Sequence, residues 1–177
     1  LSAVLYQLCN SPESKQALLD FIRSLPEQDI TDIQFIETPR QDVMVTLEET
    51  FGEQQRFVDA PLLSDGTLRA LALITVLSQP SERLPRLISI DEPELGLHPS
   101  AIALITELCR SISRHTQIVL STQSTELLDY FNADEVVVVE RQQGETRLTR
   151  LSSEALQNWL EDYSLSELYG KGVIGGK

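Results

Sequence analysis

The sequence lacks the features that would place it in a membrane, in a disulfide scaffold or along a nucleic-acid backbone. Its 177 residues contain no signal peptide and no apolar run of the roughly 18 residues that a membrane span needs. The two cysteines, Cys9 and Cys109, have no metal-ligand spacing. Only 14 Lys and Arg residues stand against 27 Asp and Glu, a net charge of −13, whereas phosphate backbones require clustered cations. We therefore expect a cytoplasmic protein with reduced thiols and no broad surface for DNA or membranes.

Hydrophobic periodicity predicts helices and strands that alternate, as in a layered α/β protein. Single helices between the strands after residue 86 favour parallel pairing, and the turn at 142–145 predicts an antiparallel hairpin. The glycine-containing segment 165–177 is expected to be loosely ordered. The predicted helices are 1–8, 12–25, 67–78, 100–113, 125–130 and 153–160, and the predicted strands are 33–36, 43–47, 56–58, 87–90, 117–120, 135–140 and 146–150.

Two adjacent carboxylates, Asp91 and Glu92, follow the apolar strand 87–90 directly, and Pro93 ends the run. Side chains at the carboxyl end of a buried parallel strand enter a ligand crevice. Asp91 could there face a magnesium ion through a water, and Glu92 could orient or deprotonate an attacking water. The alternative is a strand that ends in a solvated acidic turn, and this motif alone does not decide between them.

Ser64, Asp65, Gly66 and Thr67 stand where a loop becomes a helix. The exposed N–H groups and the helix dipole favour an anion such as a γ-phosphate there, and Gly66 allows a close backbone approach. The alternative is that Ser64 or Asp65 only caps the helix. Of the two, Asp65 is the expected cap, because a carboxylate beside a phosphate would be repulsive.

A third polar position, Gln123, follows the predicted strand 117–120. Its amide can hydrogen-bond a phosphate or orient a water, although it cannot become cationic. The alternative is a turn residue ahead of a helix that Ser124 caps.

Along the chain the three motifs occur in the order 64–67, 91–92 and 123. In that order they resemble the carboxyl-terminal half of the ABC-like AAA ATPases, which include RecF, the SMC heads and the OLD-type phage-defence ATPases. The likeness covers most of the chain and extends to residues 94–99 and to the tail at 168–176. It implies an α/β P-loop NTPase head with a mainly parallel sheet, flanking helices and an edge β-hairpin. It also implies ATP and Mg²⁺ as cofactors. The site residues that it implies are Ser64, Asp65, Gly66 and Thr67 for nucleotide binding, Asp91 for the metal, and Glu92 and Gln123 for catalysis, where the family frequently has histidine at the position of Gln123.

The resemblance implies that ATP is bound and hydrolysed between the heads of a homodimer, as a conformational switch for an effector protein or DNA held by other parts of the protein. Residues 1–30 would end a helical insertion or lobe, and residues 31–177 would carry the signature, Walker B and switch motifs. The Walker A half is expected to be absent, since no Gly-x-x-x-x-Gly-Lys-Ser/Thr occurs, and this chain alone is expected to be inactive.

Two other classes of function stay open. A degenerate, non-catalytic head could act as a scaffold for a partner effector or nuclease, and the glutamine at position 123 favours that interpretation. A metal-dependent nuclease could use Asp91, Glu92 and Glu94, although such sites usually gather additional distant acids.

Overall fold

The computed structural model describes residues 1–24, 29–39, 42–51 and 54–175, which form two compact units, 1–121 and 122–177. The first unit contains α1 (Ser2–Cys9), α2 (Pro12–Ser24), β1 (Ile30–Glu37), β2 (Val43–Phe51), β3 (Gln54–Asp59), α3 (Asp65–Leu77), β4 (Leu87–Asp91), α4 (Pro99–Ile112) and β5 (Gln117–Ser121). The second contains α5 (Thr125–Leu128), β6 (Val137–Gln142), β7 (Glu145–Arg150), α6 (Gln157–Leu160) and α7 (Leu165–Gly170). Short 3-10 turns lie at Ala60–Leu62, Ser81–Arg83 and Ala133–Glu135.

The strands β1, β2 and β3 form an antiparallel sheet in sequence order. Ile30 and Ile33 of β1 and Val45 and Leu47 of β2 are buried in an apolar core that also contains residues of α1, α2 and α3. The apolar residues that meet in this core include Leu5, Leu18, Ile22, Ile33, Val45, Leu47 and Leu71. The predicted strands are therefore present, and β1 to β3 are each longer than predicted. Position 25 of the predicted helix 12–25, and positions 40 and 41 between the first two strands, lie outside the described residues.

The strands β4 and β5 pair in parallel, as the single intervening helix predicts, with Asp91 opposite Ser121. The connecting helix α4 begins after His98, whose Nδ1 accepts a hydrogen bond from the Ser100 N–H at 3.3 Å. One face of this pair packs on α4 through a shared apolar cluster. On the other face Leu87 is 52% exposed and Val119 is 45% exposed, so the described helices of the first unit leave this face open.

In the second unit, β6 and β7 form the predicted antiparallel hairpin, with Val139 opposite Leu148. The strand begins two residues later than predicted, because Ala133–Glu135 forms a 3-10 turn closed by an Asn132 capping box. The helices α5 and α6 are shorter than the predicted 125–130 and 153–160.

The expectation of a loosely ordered end is wrong for the described part of 165–177. Residues Leu165–Gly170 form α7, which begins with a capping box between Ser164 and Glu167. Leu165, Leu168 and Ile174 are buried in one apolar cluster. The spacing of these apolar residues holds the segment in place, although the neighbouring glycines suggested a loose end. No helix among the described residues has the length and apolar character to cross a membrane.

Candidate functional site

The acidic pair lies at the carboxyl end of β4, beside the end of β5. The hydroxyl of Ser121 donates a hydrogen bond to Oδ1 of Asp91 at 2.5 Å. The main-chain N–H of Glu92 donates to the carbonyl oxygen of Ser121 at 2.8 Å. Both contacts follow from the parallel register, which sets Asp91 directly opposite Ser121. The structure therefore brings the acidic pair next to the neighbouring strand, and Asp91 remains exposed.

The backbone of Glu92 adopts a left-handed conformation, with φ of +46°. This conformation costs a residue with a side chain about 1–2 kcal/mol. Two main-chain hydrogen bonds hold Glu92 in this conformation. Its N–H donates to Ser121, and its carbonyl oxygen accepts from the Leu95 N–H at 3.1 Å. Such backbone strain clusters at functional sites, whereas an ordinary solvated turn more often uses Gly or Asn at positive φ. Sequence patterns carry no signal for this feature.

Ser64 is the N-cap of α3. Its backbone is extended, with φ −65° and ψ 152°, and its Oγ accepts a hydrogen bond from the Thr67 N–H at 3.1 Å. Asp65 is already the first helical residue, so the expectation that Asp65 caps the helix is wrong by one position. Its carboxylate lies in the first turn, where the helix dipole favours a negative charge.

Gly66 packs against the turn that follows the acidic pair. A Cβ atom on Gly66 would lie 2.3 Å from the main-chain oxygen of Gly96, and Gly96 itself has φ of +79°. The two glycines thus allow the first turn of α3 and the segment 94–97 to meet backbone to backbone. The close backbone approach that Gly66 allows is made within the chain, to Gly96.

An open cleft of about 630 Å³ lies beside the first turn of α3. On one side it is lined by Ser64, Gly66 and Thr67 together with the 96–98 turn, and on the other by residues of β2 and β3 that include Glu49 and Arg56. Of the residues that the structure describes, Asp91 and Glu92 do not line it. The cleft therefore lies at the capped glycine loop and is not lined by the acidic pair.

Gln123 belongs to the second unit, where it is exposed and stands two residues before α5. Ser124 occupies the N-cap position of α5 without a side-chain capping bond, and its N–H donates to Oγ1 of Thr122 at 2.8 Å. The side chain of Thr122 therefore helps to shape the turn that precedes α5.

Across the described ranges, no three His, Cys, Asp or Glu side chains come together as a metal site. Asp91 is accordingly a single carboxylate candidate for a metal. Mg²⁺ in nucleotide sites is usually held by one or two carboxylates, the substrate phosphates and waters, and an exposed carboxylate at a strand end fits that role. A nuclease centre formed by Asp91, Glu92 and Glu94 finds no support in this part of the chain.

The two cysteines are free thiols, half-buried at Cys9 and buried at Cys109. Burial raises the pKa of the Cys109 thiol to about 11 and also raises the pKa of Cys9. Since the thiolate is the reactive form, neither residue is suited to act as a nucleophile.

Residues 10–129 match the protein family described as "AAA domain, putative AbiEii toxin, Type IV TA system". No curated protein matches the sequence. Among solved structures, the chain is similar to one from work on ATP-driven dimerization and DNA-stimulated activation of SMC ATPases, with a TM-score of 0.59 and 15% identity over 84% of this chain and 89% of that one. It is also similar to the Smc head domain of Pyrococcus furiosus with an extended coiled coil, bound to the C-terminal domain of ScpA, with a TM-score of 0.58 and 18% identity over 85% of this chain.

A third similar structure is the SMC head domain of Thermotoga maritima, with a TM-score of 0.51 and 13% identity over 85% of this chain. The chain spans 38% of the Pyrococcus furiosus chain and 51% of the Thermotoga maritima chain. At these identities the similarity establishes the fold, which is that of a P-loop NTPase head.

Proposed function

Because this chain belongs to the AAA ATPase family and has the fold of an SMC-type ATPase head, we propose that it forms part of a composite site that binds and hydrolyses ATP between two copies of the protein. The observation that carries the proposal is the acidic pair at the end of β4, with Asp91 tied to the adjacent strand and Glu92 held at positive φ.

Each residue has a defined task in this proposal. Bound Mg²⁺–ATP would supply the electrophilic phosphorus and neutralise developing charge. Asp91 would hold the metal through a water, and the Glu92 carboxylate would orient the attacking water and take its proton. Gln123 would hydrogen-bond a phosphate or orient a water through its amide. Because this amide stays neutral, it contributes less charge stabilisation than a histidine would.

The capped loop at the start of α3 is proposed to bind the γ-phosphate of the nucleotide held by the other copy. Ser64 and Thr67 offer their hydroxyls, and Asp65 and Gly66 offer main-chain N–H groups at the positive end of a 13-residue helix. In this arrangement the loop of one copy would serve the nucleotide held at the acidic pair of the other copy. ATP-driven dimerization is named for the SMC ATPases in one of the similar structures.

The open face of the β4–β5 pair supports a further part of the proposal. Parallel strands are normally covered on both faces, yet Leu87 and Val119 are about half exposed. We propose that the part of the head that carries the phosphate loop, a sequence that this chain does not contain, covers this face. In the same scheme, residues 1–30 end a helical lobe, residues 31–177 form the rest of the head, and the cytoplasmic switch acts on an effector or DNA bound elsewhere.

The test is Glu92→Gln in the whole protein. Loss of the general base is expected to slow ATP hydrolysis about 10²- to 10⁴-fold, while ATP-dependent dimerization, followed by light scattering, persists because the amide keeps the shape of the side chain. Glu107→Gln, on the exposed surface of α4, is the matched control and should leave turnover unchanged.

Unchanged turnover in Glu92→Gln would reject the role of that carboxylate. A wild-type protein that neither hydrolyses ATP nor dimerizes with it would favour the degenerate scaffold instead.

A further inference from the structure

Ser121, the last residue of β5, contacts both members of the acidic pair. Its hydroxyl donates to Oδ1 of Asp91 at 2.5 Å, and its carbonyl oxygen accepts from the Glu92 N–H at 2.8 Å. We propose that Ser121 is a positioning residue for the metal of the ATPase site, an inference that rests on the proposed function.

A hydrogen bond from a hydroxyl to a carboxylate is charge-assisted, and Ser121 makes such a bond to Oδ1 of Asp91. Asp91 is exposed, and an exposed side chain without such a bond exchanges among its staggered rotamers. By engaging Oδ1, the hydroxyl selects the orientation of the carboxylate. Oδ2 would then be the oxygen offered to the metal.

This orientation matters because Asp91 is the carboxylate that the proposal assigns to the metal. Within the described part of the chain, no cluster of three ligand-type side chains is present to share the metal. A magnesium site built on one carboxylate, phosphates and waters depends directly on where that carboxylate points. The partners that orient metal ligands in this way typically change metal affinity or activity 10- to 100-fold when they are removed.

The second contact makes the experiment selective. The Ser121 carbonyl belongs to the main chain, so a side-chain substitution leaves its hydrogen bond with Glu92 in place. Ser121→Ala therefore removes the contact to Asp91 and keeps the one that holds the backbone of Glu92. Ser121→Thr keeps the hydroxyl at a position that is exposed and in a strand, where a β-branched residue is well tolerated.

The experiment measures Mn²⁺ binding to the whole protein by electron paramagnetic resonance in the presence of a non-hydrolysable ATP analogue. Ser121→Ala is expected to raise the Mn²⁺ Kd about tenfold or more, and Ser121→Thr to restore it. Ser89→Ala, an exposed serine on β4, is the matched control and should bind Mn²⁺ as wild type does. ATP turnover should show the same rank order when Mg²⁺ is titrated.

Wild-type Mn²⁺ affinity in Ser121→Ala would overturn the inference, and so would failure of Ser121→Thr to rescue it, since a packing role would then account for the effect. If Ser121→Ala does not fold, Ser121→Cys replaces it, because a thiol is a weak donor of similar size. A wild-type protein that binds no Mn²⁺ with nucleotide would instead reject the proposed function itself.

Discussion

A methyl group at position 66 provides a direct test of the contact between the glycine loop and the turn after the acidic pair. In Gly66→Ala the new Cβ would lie 2.3 Å from the Gly96 carbonyl oxygen, about 1 Å closer than the usual C···O contact. The obstacle is main chain, so one of the two segments must shift. Overpacking of this kind costs about 1–3 kcal/mol, and the better helix propensity of alanine returns up to about 1 kcal/mol. We expect a net local loss of about 1–2 kcal/mol.

Hydrogen exchange measures this loss where it occurs. The relevant amides are Leu68, which donates to Ser64 at 3.0 Å, and Leu97, which donates to Glu94 at 3.0 Å. A loss of about 1–2 kcal/mol should make them exchange about 5- to 30-fold faster. Gly170→Ala is the control, because a Cβ at that helical position meets nothing within 4 Å.

If Gly66→Ala and Gly170→Ala showed the same exchange at Leu68 and Leu97, the two segments would not be coupled through this contact. A bulky residue at position 66 would be uninformative about phosphate binding, because it would disturb this internal packing in any case.

Two further predictions concern the cap of α3 and the helix α7. Ser64→Ala should lower the free energy of unfolding, measured in urea, by about 1 kcal/mol, whereas Ser64→Asp should retain the cap. Ser64→Asp should nevertheless lose ATP-dependent dimerization, because its carboxylate repels the phosphate, and normal dimerization of this variant would leave Ser64 as a cap only. Leu168 is 0% exposed, so Leu168→Ala should lower the free energy of unfolding by about 2–4 kcal/mol. Unfolding is followed by the fluorescence of the single tryptophan, Trp159, which lies in the same unit. Leu148 is 67% exposed, so Leu148→Ala should change the free energy of unfolding by no more than about 0.5 kcal/mol. Equal effects of the two substitutions would contradict the burial of α7.

The sequence predicted the elements that local pattern determines. Alternating and helical spacing located the strands and the helices of the first unit, and the helix between residues 91 and 117 correctly implied parallel pairing. The Ser64 cap was missed by one residue because Ser and Asp are both strong capping residues and helix ends are the least certain feature of a pattern.

The remaining features depend on tertiary register. The partnership of Asp91 with Ser121 requires the strands to pair without a slip, and a periodicity of two does not fix which residues face each other. The contact of Gly66 with Gly96 joins two segments that are distant in sequence, and the positive φ of Glu92 has no counterpart in residue type. The apolar spacing of α7 was visible in the sequence but was outweighed by the glycines that follow it.

The central claim is that the acidic pair of one copy works with the glycine loop of another. Mixing whole protein that carries Glu92→Gln with whole protein that carries Ser64→Asp tests it, because each is expected to be inactive alone. In a mixed dimer one site carries both lesions and the other carries neither. The account predicts that ATP hydrolysis reappears on mixing, and a mixture as inactive as its two components would contradict it.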